Sequence, residues 1–564
     1  MKSGYRGMVW HGSPRGFGSA VLCALATALP TAAAAQDRPS EAEMFGEPAP
    51  TAPSDAGANP QAPQTAPNAP SAPSQSASAN GQPASAPSTT PMGESTRDTQ
   101  ILGSDQATPM FTEEAAPDDP LKIGGQLYLR MQSTGSQGQR FQNFSFGSPS
   151  MLDVYMDARP NDRVRAFARG RMLYDPTLPA SAGSGNSISA VSATGSTSGS
   201  PSLSSLFQTQ TRDPKVYLDQ LWVNFDLWRR IFVTAGKQHV RWGTGHFWAP
   251  TDYLHVRPRN PLDVFDARTG TTMVKLHLPI ESRQWNFYAY GVTEGPDATQ
   301  SLGKLAAAAR SEIVLGSTEI GLGFFAREGK KAKLAADLST GIGDFDLYGE
   351  LALRSRDDVD RVRYDPNATI PVRTTPPTWQ NPHDADSAYG AQVVDAVYPV
   401  YREYGVRPQA VGGITYSRKY NDNDTFTVGA EYFYNGLGYS SPTAYPGLVL
   451  PHSQSLSDSV NFFYLGRHYA AIYATFPAPY SLDNHTFTLS TLGNLSDRSF
   501  ITRLDYSFIL LTHVRFEAFV SGRYGDENGE FRFGVKNLNL GGGTIPINHP
   551  PAFMDFGMAV RVAI

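Results

Sequence analysis

The sequence has very little cysteine: among its 564 residues only Cys23 is one. A framework of intrachain disulfides is therefore excluded. Beyond position 35, no segment reaches the roughly 18 uninterrupted apolar residues that a membrane-spanning helix needs, and the mean hydropathy is -0.34. The formal net charge of -5 lacks a basic excess, so we expect no nucleic-acid partner. The hydrolase motifs G-x-S-x-G and H-E-x-x-H are also absent, and we predict no enzymatic activity.

The first 35 residues have the composition of an export signal. Lys2, Arg6 and Arg15 form a basic start. Ala20–Leu29 forms an apolar centre, and Thr31–Ala35 supplies the small residues that a signal peptidase requires. We therefore predict a signal peptide over residues 1–35 and an exported mature chain that contains no cysteine.

Residues 36–120 are rich in Pro, Ala, Ser, Gln and Thr and nearly lack large apolar side chains. A segment of this composition cannot bury enough apolar surface to offset its chain entropy, so we predict a disordered periplasmic linker. A simple spacer is one interpretation of this linker. Binding of peptidoglycan or of a periplasmic protein through the same residues is the alternative.

The rest of the sequence is organised around the stretch Ile231–Trp242, in which side chains of different character alternate. Lys237 and His239 fall on one side of this stretch, whereas Val240 and Trp242 fall on the other. Strict alternation predicts a β-strand, because successive side chains of a strand point to opposite faces of the sheet. A strand of this kind needs water on one face and an apolar environment on the other.

From Leu121 onward, alternating segments of about 8–12 residues recur, and the chain contains about eighteen of them. Connections after odd-numbered segments are mostly long, whereas those after even-numbered segments are mostly short. Long extracellular loops and short periplasmic turns would produce this regularity. The predicted fold is all-β: a transmembrane antiparallel up-and-down β-barrel over residues 121–564.

A soluble β-sandwich is the alternative fold, because soluble sheets also show alternation. A sandwich packs two inner faces together without water. The polar faces of segments such as Arg163–Met172 carry too many charges to be buried in a dry interior. The charge pattern therefore favours the barrel.

Two features support a resemblance to a known family. The last alternating segment, Phe553–Ile564, ends with the chain itself, and the motif Gly236-Lys237-Gln238 is followed by Arg241-Trp242-Gly243. In both features the region Leu121–Ile564 resembles a bacterial outer-membrane porin. It is similar to the barrels of the phosphate-selective and alginate-export kinds, in which such a strand precedes a loop that folds into the pore. The resemblance implies outer-membrane lipid, the barrel-assembly machinery and small-solute cargo as partners, with an oligomer as an option.

The polar faces, if they point inward, give the barrel a charged lining. The candidate pore-lining residues are Arg163, Arg165, Arg169, Arg171, Lys237, His239, Arg241, Arg515, Glu517 and Arg523. The basic residues of the third and fifth strands could form one electropositive stripe, which predicts a mild preference for anions. Alternatively, the charges pair across strands, because Asp153 and Asp157 lie on the neighbouring strand.

The segment Gly243–Gly270 is too aromatic and too rich in proline for an ordinary surface loop. We predict that it folds into the pore as a constriction loop, with Trp248 and Tyr253 as an apolar surface for solutes. A cap resting on the barrel rim is the alternative. The candidate constriction residues are Trp248, Arg257, Arg259, Asp263, Asp266 and Arg268.

No metal site or cofactor is predicted. His239, His246 and His255 lie near Asp252, but their spacing matches no compact set of metal ligands. The sequence as a whole predicts an outer-membrane channel for the diffusion of small hydrophilic solutes, with a mild preference for anions. The alternatives are a structural or adhesive barrel plugged by its own loops and an exporter component that works with periplasmic partners.

Overall fold

The structure is a computed structural model, and the part of the chain that it describes begins at Pro120. The signal peptide predicted over residues 1–35 and, except for Pro120, the linker predicted over residues 36–120 lie outside the described residues. The described ranges are 120–178, 213–255, 258–263, 268–294, 304–355, 360–371, 382–420, 424–450, 452–453, 461–480, 482–511, 513–539 and 544–563.

The described chain forms a closed barrel of 18 antiparallel strands. In chain order the barrel strands are β1 (Leu121–Ser136), β2 (Ser150–Asn161), β3 (Val164–Tyr174), β4 (Lys215–Leu227), β5 (Ile231–Gln238), β6 (Thr271–Ile280), β7 (Trp285–Val292), β8 (Ala306–Leu315), β9 (Thr318–Arg327), β10 (Lys333–Ile342), β11 (Phe345–Ser355), β12 (Val406–Lys419), β13 (Thr425–Asn435), β14 (His468–Pro477), β15 (His485–Asn494), β16 (Ser499–Leu510), β17 (Val514–Gly525) and β18 (Ala552–Ala563).

Each barrel strand pairs with its neighbour in sequence, and the first and last strands close the ring. β1 pairs with β18 from Gln126 opposite Ala563 to Ser136 opposite Ala552, with one irregularity in the register. Every strand therefore has two partners, so that no row of backbone N–H and C=O groups is left at an open edge. The predicted fold class and the predicted number of strands are confirmed.

Alternation along the strands places charged side chains inside the barrel and apolar ones outside. On β2, for example, Val154 and Met156 are each 47% exposed, whereas Asp153 and Asp157 are buried. The same pattern continues on β18, where Met558 is exposed and Arg561 is buried. Because neighbouring residues of a strand point to opposite faces, the sequence pattern alone sorts them between lumen and exterior.

Turns and loops alternate in length as the sequence predicts. β8 and β9 are joined by Gly316 and Ser317 alone, whereas β11 and β12 are separated by about fifty residues that include a helix. The elements outside the barrel wall are helices α1 (Pro382–Val397) and α2 (Tyr445–Val449), the 3-10 turns Phe141–Asn143, Glu281–Arg283, Pro442–Ala444 and Glu530–Arg532, and the short strands Ser145–Gly147, Arg361–Val362, Val400–Tyr401, Val535–Asn539 and Thr544–His549. No helix within the described ranges is long and apolar enough to cross a membrane.

One strand is shorter than the alternation predicts. β5 ends at Gln238, whereas the alternating pattern continues to Trp242. Beyond Gln238 the chain leaves the wall, and Val240 and Trp242 pack among buried apolar side chains inside the barrel. The alternation of this stretch therefore continues in a segment that is not a strand, because burial inside the lumen also favours apolar side chains at these positions.

Candidate pore constriction

The segment between β5 and β6, residues 239–270, is called the constriction loop below, and its described residues (239–255, 258–263 and 268–270) lie against the inner wall of the barrel. Its first part carries Val240, Trp242, Tyr253 and Leu254 into a cluster with inward-facing residues of β6–β11. The wall is built from small residues at this place. At Gly323 a Cβ atom would come within 3.1 Å of the Trp242 ring, so the absence of a side chain makes room for the indole.

The second contact of the loop is with the opposite half of the wall. Trp248 is fully buried, and its ring stacks on Phe433 with centroids 5.6 Å apart and lies 5.5 Å from Tyr469. The indole Nε1–H donates to the carbonyl of Phe463 at 3.0 Å. Aromatic contacts of this geometry add to the gain from burial. The loop is thus seated against strands from β6 to β16.

Glu431 on β13 fixes the loop through backbone hydrogen bonds. Its carboxylate accepts from the N–H groups of His246 at 2.6 Å, Phe247 at 3.1 Å and Trp248 at 2.9 Å. The hydroxyl of Tyr348 donates to the same carboxylate at 2.8 Å. Hydrogen bonds to a charged acceptor are roughly twice as strong as neutral ones. A buried carboxylate thus replaces the partners that these backbone groups would have in a strand.

Glu350 on β11 provides a second anchor of the same kind. It accepts from the N–H of Gly245 and from the N–H and hydroxyl of Thr251, the last at 2.7 Å. The chain approaches this carboxylate at Gly243, which has a φ of +100°. A Cβ atom at Gly243 would lie 2.4 Å from Glu350 Oε1. Glycine is required here both by the backbone angle and by the close approach.

The inner faces of β17, β18 and β1–β4 contribute no residue to the two apolar clusters around the constriction loop, and they form what is called here the uncovered wall. Among its charged side chains are seven arginines and five carboxylates: Arg130, Arg165, Arg169, Arg171, Arg515, Arg523, Arg561, Asp153, Asp157, Asp219, Glu517 and Asp555. Five of the arginines pair with the five carboxylates at 2.6–2.8 Å: Arg165–Asp157, Arg169–Asp219, Arg171–Asp153, Arg523–Asp555 and Arg561–Glu517. The balance of charge on this wall is positive.

Arg130 on β1 differs from the other arginines of the uncovered wall. It is 1% exposed, and within the described part of the chain none of its three guanidinium nitrogens has a hydrogen-bond partner. The guanidinium carbon lies 4.6 Å from the ring centroid of Phe519, and that of Arg503 lies 4.3 Å from the same ring. Asp263 of the constriction loop interacts electrostatically with both arginines. A buried cation without an acceptor normally has water or an anion beside it.

The constriction loop contributes its own cationic group. Burial, followed by the charges of Arg259 and Arg268, lowers the pKa of Arg241 to about 10, so Arg241 remains protonated at neutral pH. Burial and the same neighbourhood hold the pKa of His246 well below its ordinary value, so its imidazole is neutral. Three arginines of the loop are thus close enough to repel one another.

Asp252 stabilises part of this cationic group. Its carboxylate lies 2.9 Å from His255 Nδ1 and 2.9 Å from Arg268 Nη1. Burial would raise the pKa of Asp252, but the contacts with His255 and Arg268 outweigh burial and lower it to about 2. The carboxylate therefore stays ionised across the physiological range.

The predicted pore-lining residues fall into different places. Arg163 lies near the short-turn side and pairs with Asp226 at 2.8 Å. His239 contacts Asp219 at 3.2 Å, so that it joins the group of Arg169. His239 and Arg241 belong to the constriction loop and not to a strand. The residues of β3 and β17 in the predicted set lie on inward faces: Arg165, Arg169, Arg171, Arg515, Glu517 and Arg523.

The structure places Lys237 differently from the prediction. It is opposite Leu221 on β4 and Thr272 on β6, on the same side of the sheet as the exposed Leu221. Its Nζ lies 3.0 Å from a carboxylate oxygen of Glu294. Lys237 therefore faces outward near the rim, and the predicted stripe across the third and fifth strands does not form from it. The residues of β5 alternate between the two faces as predicted, but the face that carries Thr234, and not the face that carries Lys237, points into the barrel.

The predicted constriction residues are only partly described. Arg257 and Asp266 lie outside the described residues. Trp248, Arg259, Asp263 and Arg268 belong to the loop inside the barrel; Arg259 and Asp263 are buried. Arg503 Nη1 donates to the carbonyl of Leu262 at 3.1 Å, which joins this part of the loop to β16.

The histidines and Asp252 do not form a compact group. The His239 and His255 rings lie 5.9 Å apart, whereas the His246 ring packs 4.6 Å from Tyr473. Across the described ranges, no group of three or more His, Cys, Asp or Glu side chains is arranged to hold a metal ion.

Arg130 was missed by the sequence analysis. The signal for it was present, because Tyr128, Arg130 and Gln132 alternate with Leu127, Leu129 and Met131 in the first strand. The alternation identifies the inward face of β1. It does not indicate which arginine of the barrel would lack a carboxylate partner.

The side chains on the exterior of the barrel indicate the environment in which it is stable. Large apolar side chains stand exposed all around it, including Leu129, Leu276, Leu322, Ile472 and Met558. A continuous apolar exterior around a charged interior is the surface of a transmembrane barrel and would be unstable in water. The chain folds as a closed 18-stranded β-barrel with the surface of a transmembrane protein.

Comparison with known proteins gives the following findings. No protein-family model matches the sequence, and no curated protein matches it. Acinetobacter baumannii OccAB1 is similar at 9% identity and a TM-score of 0.41, over 82% of this chain and 99% of that chain. Pseudomonas aeruginosa OccK8 (OprE) is similar at 9% identity and a TM-score of 0.42, over 78% of this chain and 98% of that chain. A triple mutant of the Rhodopseudomonas blastica porin is similar at 9% identity and a TM-score of 0.35, over 79% of this chain and 100% of that chain. The assignment of the fold rests on the strand pairing and the surface of this chain.

Proposed function

We propose that this barrel is a channel for the passive diffusion of small hydrophilic solutes, with a mild preference for anions. The observation that carries the preference is the guanidinium of Arg130, which is buried on the uncovered wall without an ion-pair partner among the described residues. Carboxylates of the same wall, such as Asp219, Asp153 and Glu517, are already paired with other arginines. A fixed positive charge without a salt-bridge partner, in a lumen with low-dielectric walls, attracts anions.

The loop anchors support a constriction and not an open hole. Glu431 and Glu350 hold the constriction loop against the wall, and Asp263 of the loop is an electrostatic neighbour of Arg130 and Arg503. A solute that passes between the loop and the uncovered wall would meet both charge signs. Arginine offers forked donors that suit carboxylate and phosphate groups. The excess of arginine makes an anion the favoured solute.

The test is the reversal potential of single channels formed by the full chain in a planar bilayer under a salt gradient. We expect steady ohmic steps and an anion-selective sign. In Arg130→Gln the ratio of anion to cation permeability should fall by about twofold, because one unneutralised charge is lost from the lumen. The matched control Arg140→Gln removes the same charge from an exposed position in the loop after β1 and should leave the ratio unchanged.

Two outcomes would contradict the proposal. Cation selectivity of the unaltered chain would reject the anion preference. Absence of conductance from a correctly folded barrel would support the plugged structural or adhesive barrel, for which the extensive burial of Trp242 and Trp248 is the relevant observation.

The partners inferred from the sequence remain part of this proposal. Outer-membrane lipid would cover the exposed apolar exterior. Insertion by the barrel-assembly machinery, a contact of residues 36–120 with peptidoglycan or a periplasmic protein, and oligomerisation are proposed from the sequence alone. Export through such a periplasmic partner is distinguished from diffusion by deleting residues 36–120: loss of export with unchanged conductance would support the exporter.

A further inference from the structure

A buried glutamate on the long-loop side of the barrel has no role in the proposed channel. Glu530 begins a short turn in the loop after β17 and is 1% exposed. Its Oε2 accepts from the hydroxyl of Tyr469 at 2.6 Å and from Nδ2 of Asn494 at 2.8 Å. Its Oε1 accepts from the N–H of Leu465 at 3.4 Å. The side chain thus connects two separate segments, one with Leu465 and Tyr469 and the other with Asn494, to its own loop.

A second buried carboxyl group, Asp497, lies beside it in the turn between β15 and β16. Its Oδ2 accepts from the same Asn494 amide at 2.8 Å, from the Tyr445 hydroxyl at 3.1 Å and from the backbone N–H of Glu530 at 2.9 Å. Its Oδ1 accepts from the N–H and the hydroxyl of Ser499. Asp497 has five donors and Glu530 has three, so Asp497 is the group that carries the negative charge more easily.

No described cation neutralises the pair. Tyr445 and Tyr469 are the titratable groups that touch it, and neither carries a positive charge. Three arginines on the surrounding elements have acidic partners of their own: Arg498 with Asp526, Arg532 with Glu527 and Arg523 with Asp555. Arg467 forms no ion pair with Glu530 or Asp497 among the described contacts, and its Nε has no hydrogen-bond partner there. Two adjacent buried carboxyl groups without a cation cannot both ionise without a large electrostatic cost.

The pair is connected to the constriction loop by two contacts. Phe531, which follows Glu530, packs against Phe463 with ring centroids 5.3 Å apart. The carbonyl of Phe463 is the acceptor for the indole N–H of Trp248. A change at Glu530 can therefore reach Trp248 of the constriction loop through two intermediate residues, Phe531 and Phe463.

We propose that Glu530 and Asp497, bridged by Asn494, form a proton-dependent latch that holds residues 526–534 against residues 461–467. With one proton shared by the pair, the latch is closed. Loss of that proton places two negative charges side by side in a buried site, and the two loop segments separate. Because Phe463 holds Trp248, the constriction loop is steadied while the latch is closed.

The direction of the pH dependence follows from Glu530. Burial, reinforced by the charge of Asp497, raises the pKa of Glu530 from 4.5 to about 8 when the latch is closed. In the released loop the group returns to its ordinary pKa. A carboxyl group with a raised pKa in the closed state stabilises that state fully below pH 4.5, and the stabilisation is lost as the pH rises toward about 8. The latch is thus closed in acid and released in mild alkali.

The test is hydrogen–deuterium exchange of the folded full chain, followed at residues 461–467 and 526–534 and corrected for the intrinsic pH dependence of exchange. We expect the opening equilibrium of both segments to rise by up to about tenfold per pH unit between pH 5 and about pH 8. In Glu530→Gln, which is neutral and of the same shape, the opening should not vary with pH. The matched control Glu527→Gln changes an exposed glutamate of the same loop and should keep the original pH dependence.

A second variant keeps the latch testable if Glu530→Gln folds poorly. Asp497→Asn removes the neighbouring charge, so the transition should move to lower pH. Exchange that is independent of pH in the unaltered chain, or a transition that Asp497→Asn does not move, would overturn the latch. The exchange measurement does not require an open channel, so its failure is distinct from failure of the proposed function. If the channel conducts, its current noise should rise over the same pH range.

Discussion

Single carboxylates act as structural anchors in this protein. Glu431 accepts hydrogen bonds from three consecutive backbone N–H groups, and Glu350 accepts from both groups of Thr251. Hydrogen bonds to a charged group contribute about 1.5–3 kcal/mol each when they replace bonds to water. A loop inside a barrel has no neighbouring strand that could accept hydrogen bonds from its backbone N–H groups. The carboxylates of Glu431 and Glu350 accept these hydrogen bonds instead.

Gly243 provides a test of this arrangement at the residue scale. We expect Gly243→Ala to destabilise the seated loop by about 1–3 kcal/mol from backbone strain alone, with an added clash against Glu350. The measurement is the midpoint temperature of unfolding, followed by the change in gel mobility of the barrel. Gly138→Ala is the matched control: its φ of +82° is also positive, but nothing lies within 4 Å of the added Cβ atom, so only the strain remains. Equal effects of both substitutions would contradict the close approach at Gly243.

At the scale of one strand, what matters is which face meets lipid. β18 runs along the closing seam with Met558 outward at its centre and Arg561 inward. The same arginine is stabilised inside by Glu517 and would be costly outside. Whether a residue of the strand faces lipid or the lumen, and how deep it lies in the membrane, thus determine which side chains its position tolerates.

We therefore predict that Met558→Arg destabilises the barrel by about 2–4 kcal/mol, because the charge is placed near the middle of the apolar band. Val562→Arg on the same face of the same strand is the control. It lies close to the end of β18, where the cost should fall to about 0–1 kcal/mol. The measurement is equilibrium unfolding by denaturant in lipid vesicles. A cost that is equal at both positions would argue against this depth assignment.

At the scale of the whole molecule, closure of the ring determines whether a stable protein forms. β18 pairs with both β1 and β17, so that it completes the backbone hydrogen bonding of two other strands. An open edge in lipid leaves backbone N–H and C=O groups unsatisfied, at several kcal/mol each.

Deletion of residues 552–564 should therefore abolish the folded barrel, not shorten it. The measurement is the heat-modifiable band on gels after refolding, which we expect to be absent, with aggregated chain in its place. Deletion of residues 36–100 is the control, because the described strands begin at Leu121. A folded band from the chain without β18 would show that the seam can close between β1 and β17.

Sequence alone determined the architecture of this protein, because alternation along a strand is a local property. The structure has the eighteen strands that the sequence predicts, and β18 (Ala552–Ala563) lies where the last alternating segment, Phe553–Ile564, was predicted. Period-two patterning requires only that each strand separate water from lipid. That condition is met residue by residue and does not depend on which strands become neighbours across the barrel.

Tertiary structure decided how the charges of the lumen are used. The sequence contains the arginines of β3, but only the pairing of strands shows that Arg169 and Arg171 are neutralised by Asp219 and Asp153. Likewise, only the folded loop shows that Glu431 is an anchor and that Arg130 has no ion-pair partner among the described residues. Ion pairs and loop anchors join residues tens or hundreds of positions apart, and a local pattern carries no information about such distances.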